Sequence, residues 1–359
     1  DIVAQAIRSV VPAVQVVTKP MADGGEGTAA VLMAAAGGQW IGRAVMGPLP
    51  EMVVEAGFVW LPDNRTALVE MAMASGLPLL RSEQRNPLKT TTYGTGQLIQ
   101  AALDHGADHI LLAIGGSATV DGGVGAAMAL GWKFLTKERD EIDFGGGQLR
   151  SVEKIVPPPH PLNAIVEVLC DVDNPLCGEH GAARVFGPQK GATPETVEQL
   201  DAGLGHLARV VQEQLDRDVA CLPGAGAAGG LAAGAVAFMN ARLVPGIEAI
   251  MSQTRLAEAV SGADWVITGE GSFDEQSLRG KVVSGVTRVA RAAGVKVAVC
   301  AGQVRLEPGT YRQAGIEAAV ACMGPGMKLD YALAHSAELL DDAARRFACD
   351  YLSEKETGP

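Results

Sequence analysis

The 359-residue chain has few aromatic residues, 4% in all, and no patterned run of cysteine, histidine or basic residues. Its net charge is −12 with no Lys/Arg cluster, which argues against a nucleic-acid or anionic-membrane surface. An anionic ligand would have to be met by a few local cations and by backbone N–H groups. The six cysteines (Cys170, Cys177, Cys221, Cys300, Cys322 and Cys349) form no C-x-x-C pair, and the six histidines show no metal-ligand spacing. Reduced, buried thiols in a cytoplasmic protein without a signal peptide are therefore expected.

Two familiar nucleotide motifs are also lacking. Gly224–Gly229 matches G-x-G-x-x-G, with Glu248 downstream, but Pro223 interrupts the approach and no strand precedes it, which disfavours a dinucleotide site. Gly280-Lys281 is followed by Val282 and has no glycine five residues earlier, so it is not a Walker A loop. The uncharged stretch between Asp218 and Arg242 is long enough to span a membrane. It is mostly Gly and Ala, with Pro223 near its start and no flanking basic cluster. A loop entering a tightly packed small-residue helix is expected there instead.

What the chain does have is glycine, 45 residues, against roughly 7% in average proteins. The glycines lie in discrete clusters, which points to turns and to backbone brought close to a ligand. With 48% hydrophobic and 19% charged residues the chain is globular, and its length suits two domains. The chain opens on a helix with Ile2, Ala6, Ile7 and Val10 on one face. A short strand at Val14–Thr18, a loop at Asp23–Gly27 and a helix ending at Gly37–Gly38 follow. Trp40 to Glu70 reads as an antiparallel meander, and Thr95–Leu103 as a helix. His109–Ile114 and Ile165–Cys170 read as buried strands. Trp265–Thr268, Val295–Ala301 and Ala318–Cys322 alternate with helical segments, as parallel βαβ units do. The two ends of the chain look alike and the middle differs, which suggests one domain inserted into another.

Four glycine-rich polar clusters follow these strands: Asp23–Thr28, Gly115–Gly123, Cys170–Leu176, and Gly269–Asp274 running on to Lys281. In α/β sheets ligands bind beyond the carboxyl ends of strands, where helix N-termini offer free N–H groups. Glycine admits a phosphate to the backbone, and carboxylates hold Mg²⁺ or orient a nucleophile. Lys281, at a helix start, opposes the helix dipole unless an anion is present, which favours phosphate contact. Asp171, ending a buried strand, is costly there without a partner, and a functional or metal-paired role is favoured. Arg184 and Lys190 suit either a solvated loop or a site. Glu70 suits either a helix cap or a substrate ligand.

Taken in order, ADGGEGT (22–28), IGGSATVDGG (114–123), CDVDNPLCG (170–178), FGPQKGA (186–192), PGAGAAGGL (223–231) and TGEGSFDEQSLRGK (268–281) resemble the bacterial class I glycerate kinases. The resemblance implies Mg²⁺-dependent transfer of the ATP γ-phosphate to D-glycerate. The product would be 2-phosphoglycerate, with 3-phosphoglycerate as the alternative. It also implies a flavodoxin-like parallel-sheet domain, 1–38 with 246–359, carrying an inserted restriction-endonuclease-like α/β domain, 39–245, with an active-site cleft between them. Members begin with a strand bearing an APDSFK-type motif that has no counterpart here, and the natural protein is expected to include it. On this resemblance Asp171 and Lys281 are the catalytic candidates, Asp171 orienting the attacking hydroxyl. Gly115, Gly116, Ser117, Thr119 and Asp121 would receive the nucleotide. Asp23, Gly24, Gly25 and Glu26 would seat the substrate, with Mg²⁺ as the alternative for Asp23 and Glu26; Arg279 or Arg184 would meet the substrate carboxylate, and Asp274 or Glu270 would contact the metal. The partners expected are small molecules, with neither nucleic acid nor membrane, and a homodimer is left open. A kinase for another small hydroxy acid and a non-catalytic binding protein are the competing readings.

Overall fold

The computed structural model describes residues 1–22, 27–278 and 282–353. The chain forms two compact units, one of Ala22–Ile250 and one combining Asp1–Met21 with Met251–Pro359.

The larger unit is built on a six-stranded sheet in the order β1-β2-β3-β4-β7-β8. Its strands are β1 (Gln39–Met46), β2 (Val53–Leu61), β3 (Thr66–Glu70), β4 (His109–Ala113), β7 (Ile165–Leu169) and β8 (Arg242–Val244). A separate antiparallel pair, β5 (Lys133–Leu135) and β6 (Lys154–Val156), lies between them in sequence. The meander expected over Trp40–Glu70 is β1-β2-β3, paired antiparallel throughout, with the Gly47 amide donating to Met52 O at its first turn. From β3 onward the pairings β3-β4, β4-β7 and β7-β8 are all parallel.

The middle of this sheet is dry on both faces, as an uninterrupted apolar run predicts for a parallel strand. Ile110 and Leu112 of β4 pack with Phe58, Leu98, Ile99 and Leu231 on one side. Leu111 and Ala113 pack with Leu32, Val59, Leu68 and Ile250 on the other. Leu32 belongs to the helix Thr28–Ala36 and is fully buried. That helix thus covers the six-stranded sheet, so the units divide at 21/22 and 250/251, where the sequence suggested 38/39 and 245/246.

Two other helices of this unit bear on the site. Pro194–Leu215 starts on an N-cap Thr193 whose side chain accepts from the Thr196 amide, with Pro194 in its first turn. Its buried Val197, Leu200, Leu204, Leu207 and Val211 recur at helical spacing and face Val120, Phe134 and Leu149. The uncharged Gly/Ala segment forms the expected small-residue helix, Leu231–Met239. A Cβ at Gly234 would strike Gly122 O, so small residues let two backbones touch. Among the described residues no helix is long and apolar enough to cross a membrane.

The smaller unit holds a three-stranded parallel sheet in the order β11-β10-β9, with β9 (Trp265–Phe273), β10 (Lys296–Val304) and β11 (Ala318–Ala321). Ala298 and Ala318 of this sheet pack against Ile7 of the helix Ile2–Val10 and Phe347 of the helix Ser336–Phe347. Two expectations change here. Val14–Thr18 is not a strand: Val14 and Val16 rest on the core, but the segment joins no ladder among the described residues. Gly269–Ser272 is not a strand-end loop either, because it continues β9 in register with Cys300–Gln303.

Replacing Leu32 by Ala removes a fully enclosed side chain and should cost about 2–5 kcal/mol in denaturant unfolding. Val53→Ala on β2, a position 76% exposed, should cost under about 1 kcal/mol. Equal losses would mean that the helix Thr28–Ala36 is not part of the sheet's core.

Candidate active site

The four parallel strands of the larger unit end along one crest, and three of those ends carry a residue or loop that the sequence singled out. β3 ends on Glu70, β4 leads into Gly115–Gly123, β7 leads into Asp171, and β8 is followed by the helix Gly246–Gln253. The Glu70 carboxylate accepts from the Ala29 amide in the first turn of Thr28–Ala36, a helix distant in sequence from its own strand end. Asp171, an exposed side chain, accepts through Oδ1 from the Gly246 amide at 3.0 Å, at the start of the next helix. Both carboxylates therefore sit at helix N-termini and accept from amides that have no partner within their own helix.

Between them lies the β4 loop. Gly115 and Gly116 are exposed, and Gly116 takes a left-handed φ of 71°. The consecutive amides of Gly115, Gly116 and Ser117 donate to no acceptor among the described residues. Successive free N–H groups on a turn with a left-handed residue make an anion-binding concavity. Thr119 and Asp121, expected to touch the nucleotide, are enclosed beneath the loop at 0% and 1% exposure. Asp121 accepts from the Thr92 amide and hydroxyl, both at 2.8 Å, and from the Gly123 and Gly125 amides. Burial raises the pKa of its carboxyl, and these hydrogen bonds oppose that rise. Its effect is on the loop's shape.

Lys190 is the residue that the sequence left undecided. Its side chain is 2% exposed, and its Nζ donates to Ser117 Oγ at 2.6 Å and to Thr119 O at 2.8 Å. Desolvation lowers its pKa to about 7, against the pull of Asp121. The Thr119 hydroxyl, in the same pocket, is buried without a partner. The signal for Lys190 was its place between Gly187-Pro188 and Gly191, whose left-handed turn brings the lysine under the loop.

The G-x-G-x-x-G look-alike joins these parts. The Gly122 amide donates to Gly229 O, and the Gly226 amide donates to Asn174 O. A Cβ at Gly229 would meet Thr119 O, and one at Gly226 would meet Pro175 O. These glycines let one segment bind the β4 and β7 loops together, and they cradle backbone where a dinucleotide site would cradle phosphate.

The other candidates divide differently. Arg184 forms a two-pronged pair with Glu198, both contacts 2.7 Å, and also faces Asp201. Asp274 accepts from the Gln276 amide and caps the turn Glu275–Leu278. Glu270 lies on β9 with Oε1 buried and unpartnered. Among the described residues no group of three or more His, Cys, Asp or Glu could hold a metal ion. Mg²⁺ commonly uses only one or two carboxylates together with substrate phosphates, and the orphan oxygen of Glu270 suits that chemistry. Asp23, Gly24, Gly25, Glu26, Arg279 and Lys281 lie outside the described residues. The six cysteines are free; Cys300 is buried, Cys221 and Cys349 are exposed, and the rest are half-buried.

Lys190 gives this site a pH signature. Below about pH 7 the folded chain must enclose an ammonium group. From there to the ordinary lysine value near 10.5 the unfolded chain binds the extra proton, so stability rises with pH. Thermal melts of wild type and Lys190→Met should diverge in favour of wild type between about pH 6 and about pH 9. Parallel curves would mean that the lysine is not desolvated.

The comparisons with known proteins agree in direction. Residues 1–352 match the Glycerate kinase family. The "Glycerate kinase" of Halalkalibacterium halodurans is 45% identical over 347 residues, covering 96% of this chain and 91% of that protein. The "Glycerate 2-kinase" of Escherichia coli K12 is 43% identical over 353 residues, covering 96% and 92%. A crystal structure described as a glycerate kinase 2, from Salmonella typhimurium LT2, superposes with a TM-score of 0.86 at 40% identity. It covers 97% of this chain and 92% of its own. With free amides at one strand end, carboxylates on the neighbouring strands and full-length similarity in one direction, this chain belongs to the glycerate kinase family.

Proposed function

We propose that the protein phosphorylates D-glycerate with ATP and releases 2-phosphoglycerate and ADP. The observation that carries this reading is the run of three free amides at Gly115–Ser117, held in shape by buried Asp121 and Lys190. A phosphoryl group needs such a preorganised cradle. The relative named glycerate 2-kinase supports the choice of product.

In the reaction the glycerate hydroxyl oxygen attacks the γ-phosphorus as the bond to the bridging oxygen breaks and ADP leaves. Asp171 accepts the hydroxyl's hydrogen bond, orients the attack and takes up the proton as the O–P bond forms. Its Oδ1 is steadied by the Gly246 amide, so the carboxylate need not reorganise. Gly115, Gly116 and Ser117 donate to phosphate oxygens, and Lys281 adds a compensating cation. Asp23, Gly24, Gly25 and Glu26 seat the substrate. Because Arg184 is already engaged by Glu198, Arg279 is the better partner for the substrate carboxylate, in a two-pronged pair. Glu270, with Asp274 beside it in sequence, would hold Mg²⁺, which neutralises charge on the phosphates when bound.

Glycerate-dependent ADP release in a coupled assay tests the reading. Asp171→Asn and Lys281→Met should each lower kcat by about 100-fold or more. Unchanged turnover in both would remove these roles, and no glycerate-dependent release by wild type would remove the kinase reading. The phosphorus NMR signal of the product should be a doublet from one neighbouring C–H. A triplet would identify 3-phosphoglycerate. Lactate, which lacks one hydroxyl, should be turned over at least ~1,000-fold less efficiently.

A further inference from the structure

The Ser117 side chain holds a donor that the described residues leave unused. Lys190 Nζ donates to Ser117 Oγ at 2.6 Å and to Thr119 O at 2.8 Å. An ammonium group has donors only, whereas a hydroxyl has one donor and two acceptor positions. While Lys190 carries its proton, Ser117 Oγ is therefore the acceptor in that contact, and its own hydrogen turns away from the lysine. No described residue accepts that hydrogen.

The backbone on both sides of Ser117 is held in place. Gly116 O accepts from the Leu77 amide at 2.8 Å, and the Ala118 amide donates to Ser75 O at 2.9 Å. The hydroxyl hydrogen remains free to change direction. Lys190 is enclosed, while Gly115 and Gly116 are exposed. Turning away from the lysine thus carries the hydrogen toward the open side of the loop. There it adds a fourth donor to the three free amides.

A neutral amine reverses this arrangement. It keeps two N–H donors and gains a lone pair, which accepts from the Ser117 hydroxyl and turns the hydrogen inward. The outward donor is then lost although no heavy atom has to move. Burial brings this change of state to about pH 7, because desolvation lowers the lysine pKa to about that value. The charged groups around Lys190 are few. The Asp121 carboxylate pulls the proton onto the lysine. Arg184, on the helix Ala182–Phe186 packed against the turn that carries Lys190, is paired with Glu198. Arg85 adjoins Gly191 through its backbone. Neither guanidinium loses its charge in a protein, so a titration here belongs to Lys190 or to Asp121.

We propose that Lys190 is a positioning residue acting through Ser117: its ammonium form holds the Ser117 hydroxyl outward as a donor to an oxyanion, and its neutral form withdraws it. The proposal rests on the reading of Gly115–Ser117 as a phosphate cradle and adds a proton-dependent donor to it. Titration of the full chain with sulfate tests it at about pH 6 and about pH 8.5, on either side of the lysine's value. Sulfate carries the same charge at both. Binding is read from the ¹³C shifts of the Ile114, Gly115 and Gly116 carbonyls, which respond to the amides that follow them, so sulfate bound elsewhere does not count.

At the lower pH wild type should bind sulfate about 10-fold more tightly than Ser117→Ala, as one hydrogen bond to a charged acceptor implies. At the higher pH the ratio should fall to about 2-fold or less. Both proteins keep the lysine, so its direct attraction for the anion cancels in the ratio. Lys190→Met has no proton to lose and should bind sulfate alike at both pH values. A ratio that stays the same would overturn the proposal, because a lysine that only supports the loop gives that result. A pH dependence that persists in Lys190→Met would move the titration to Asp121 and overturn it too. If Lys190→Met does not fold, the ratio of wild type to Ser117→Ala decides alone, since that change removes a single oxygen. No carbonyl shift at either pH would remove the cradle together with the proposal. Glycerate-dependent turnover with an unchanging ratio leaves the kinase reading standing, and a falling ratio without turnover upholds the proposal and removes that reading.

Discussion

The crest of the larger unit depends on a buried polar knot. Asp121 gathers four donors from Thr92, Gly123 and Gly125, and Lys190 gathers Ser117 and Thr119, all beneath the same short loop. Enclosing a carboxylate and an amine is costly unless their hydrogen bonds are made, so the loop has few other conformations open to it. Above the knot stand three free amides in a row, at exposed Gly115 and Gly116 and at buried Ser117, an arrangement that an anion would otherwise have to organise for itself. The partner-less Thr119 hydroxyl shows how tightly the space is closed.

The glycines serve that knot in two ways. Gly115 and Gly116 expose backbone outward, where a side chain would shield it. Gly226, Gly229 and Gly234 face inward, where a Cβ would collide with Pro175 O, Thr119 O and Gly122 O. The second set brings the β4 and β7 loops together and so sets Asp171 at the end of the strand next to the one that leads into Gly115–Ser117. Spacing along this crest is thus a packing result as much as a matter of which polar residues are present.

Much of this was legible in the sequence. The meander over 40–70, the buried strands at 109 and 165, the late βαβ units and the small-residue helix follow from periodicity and from turn residues. Six motifs in series carried the family resemblance. Val14–Thr18 shows where such reading stops: its apolar residues favour a strand, but a strand exists only where a neighbour completes the ladder. Gly269–Ser272 erred the other way, because pairing with β10 extended a strand through residues that locally favour a turn. The helix Thr28–Ala36 follows the same rule, its place being settled by Leu32 burying itself against the six-stranded sheet.

Side-chain roles separate along the same line. By itself the sequence determined which residue types stand at strand ends, and therefore that glycine amides and carboxylates would meet there, because strand period and turn chemistry act over a few neighbouring residues. Only the tertiary structure decided that Asp121 and Lys190 point inward, that Arg184 faces Glu198, and that Glu70 and Asp171 lie at helix N-termini. Those outcomes depend on burial and on partners distant in the chain. The energy of a charged group is set by what encloses it, and local sequence does not specify that enclosure.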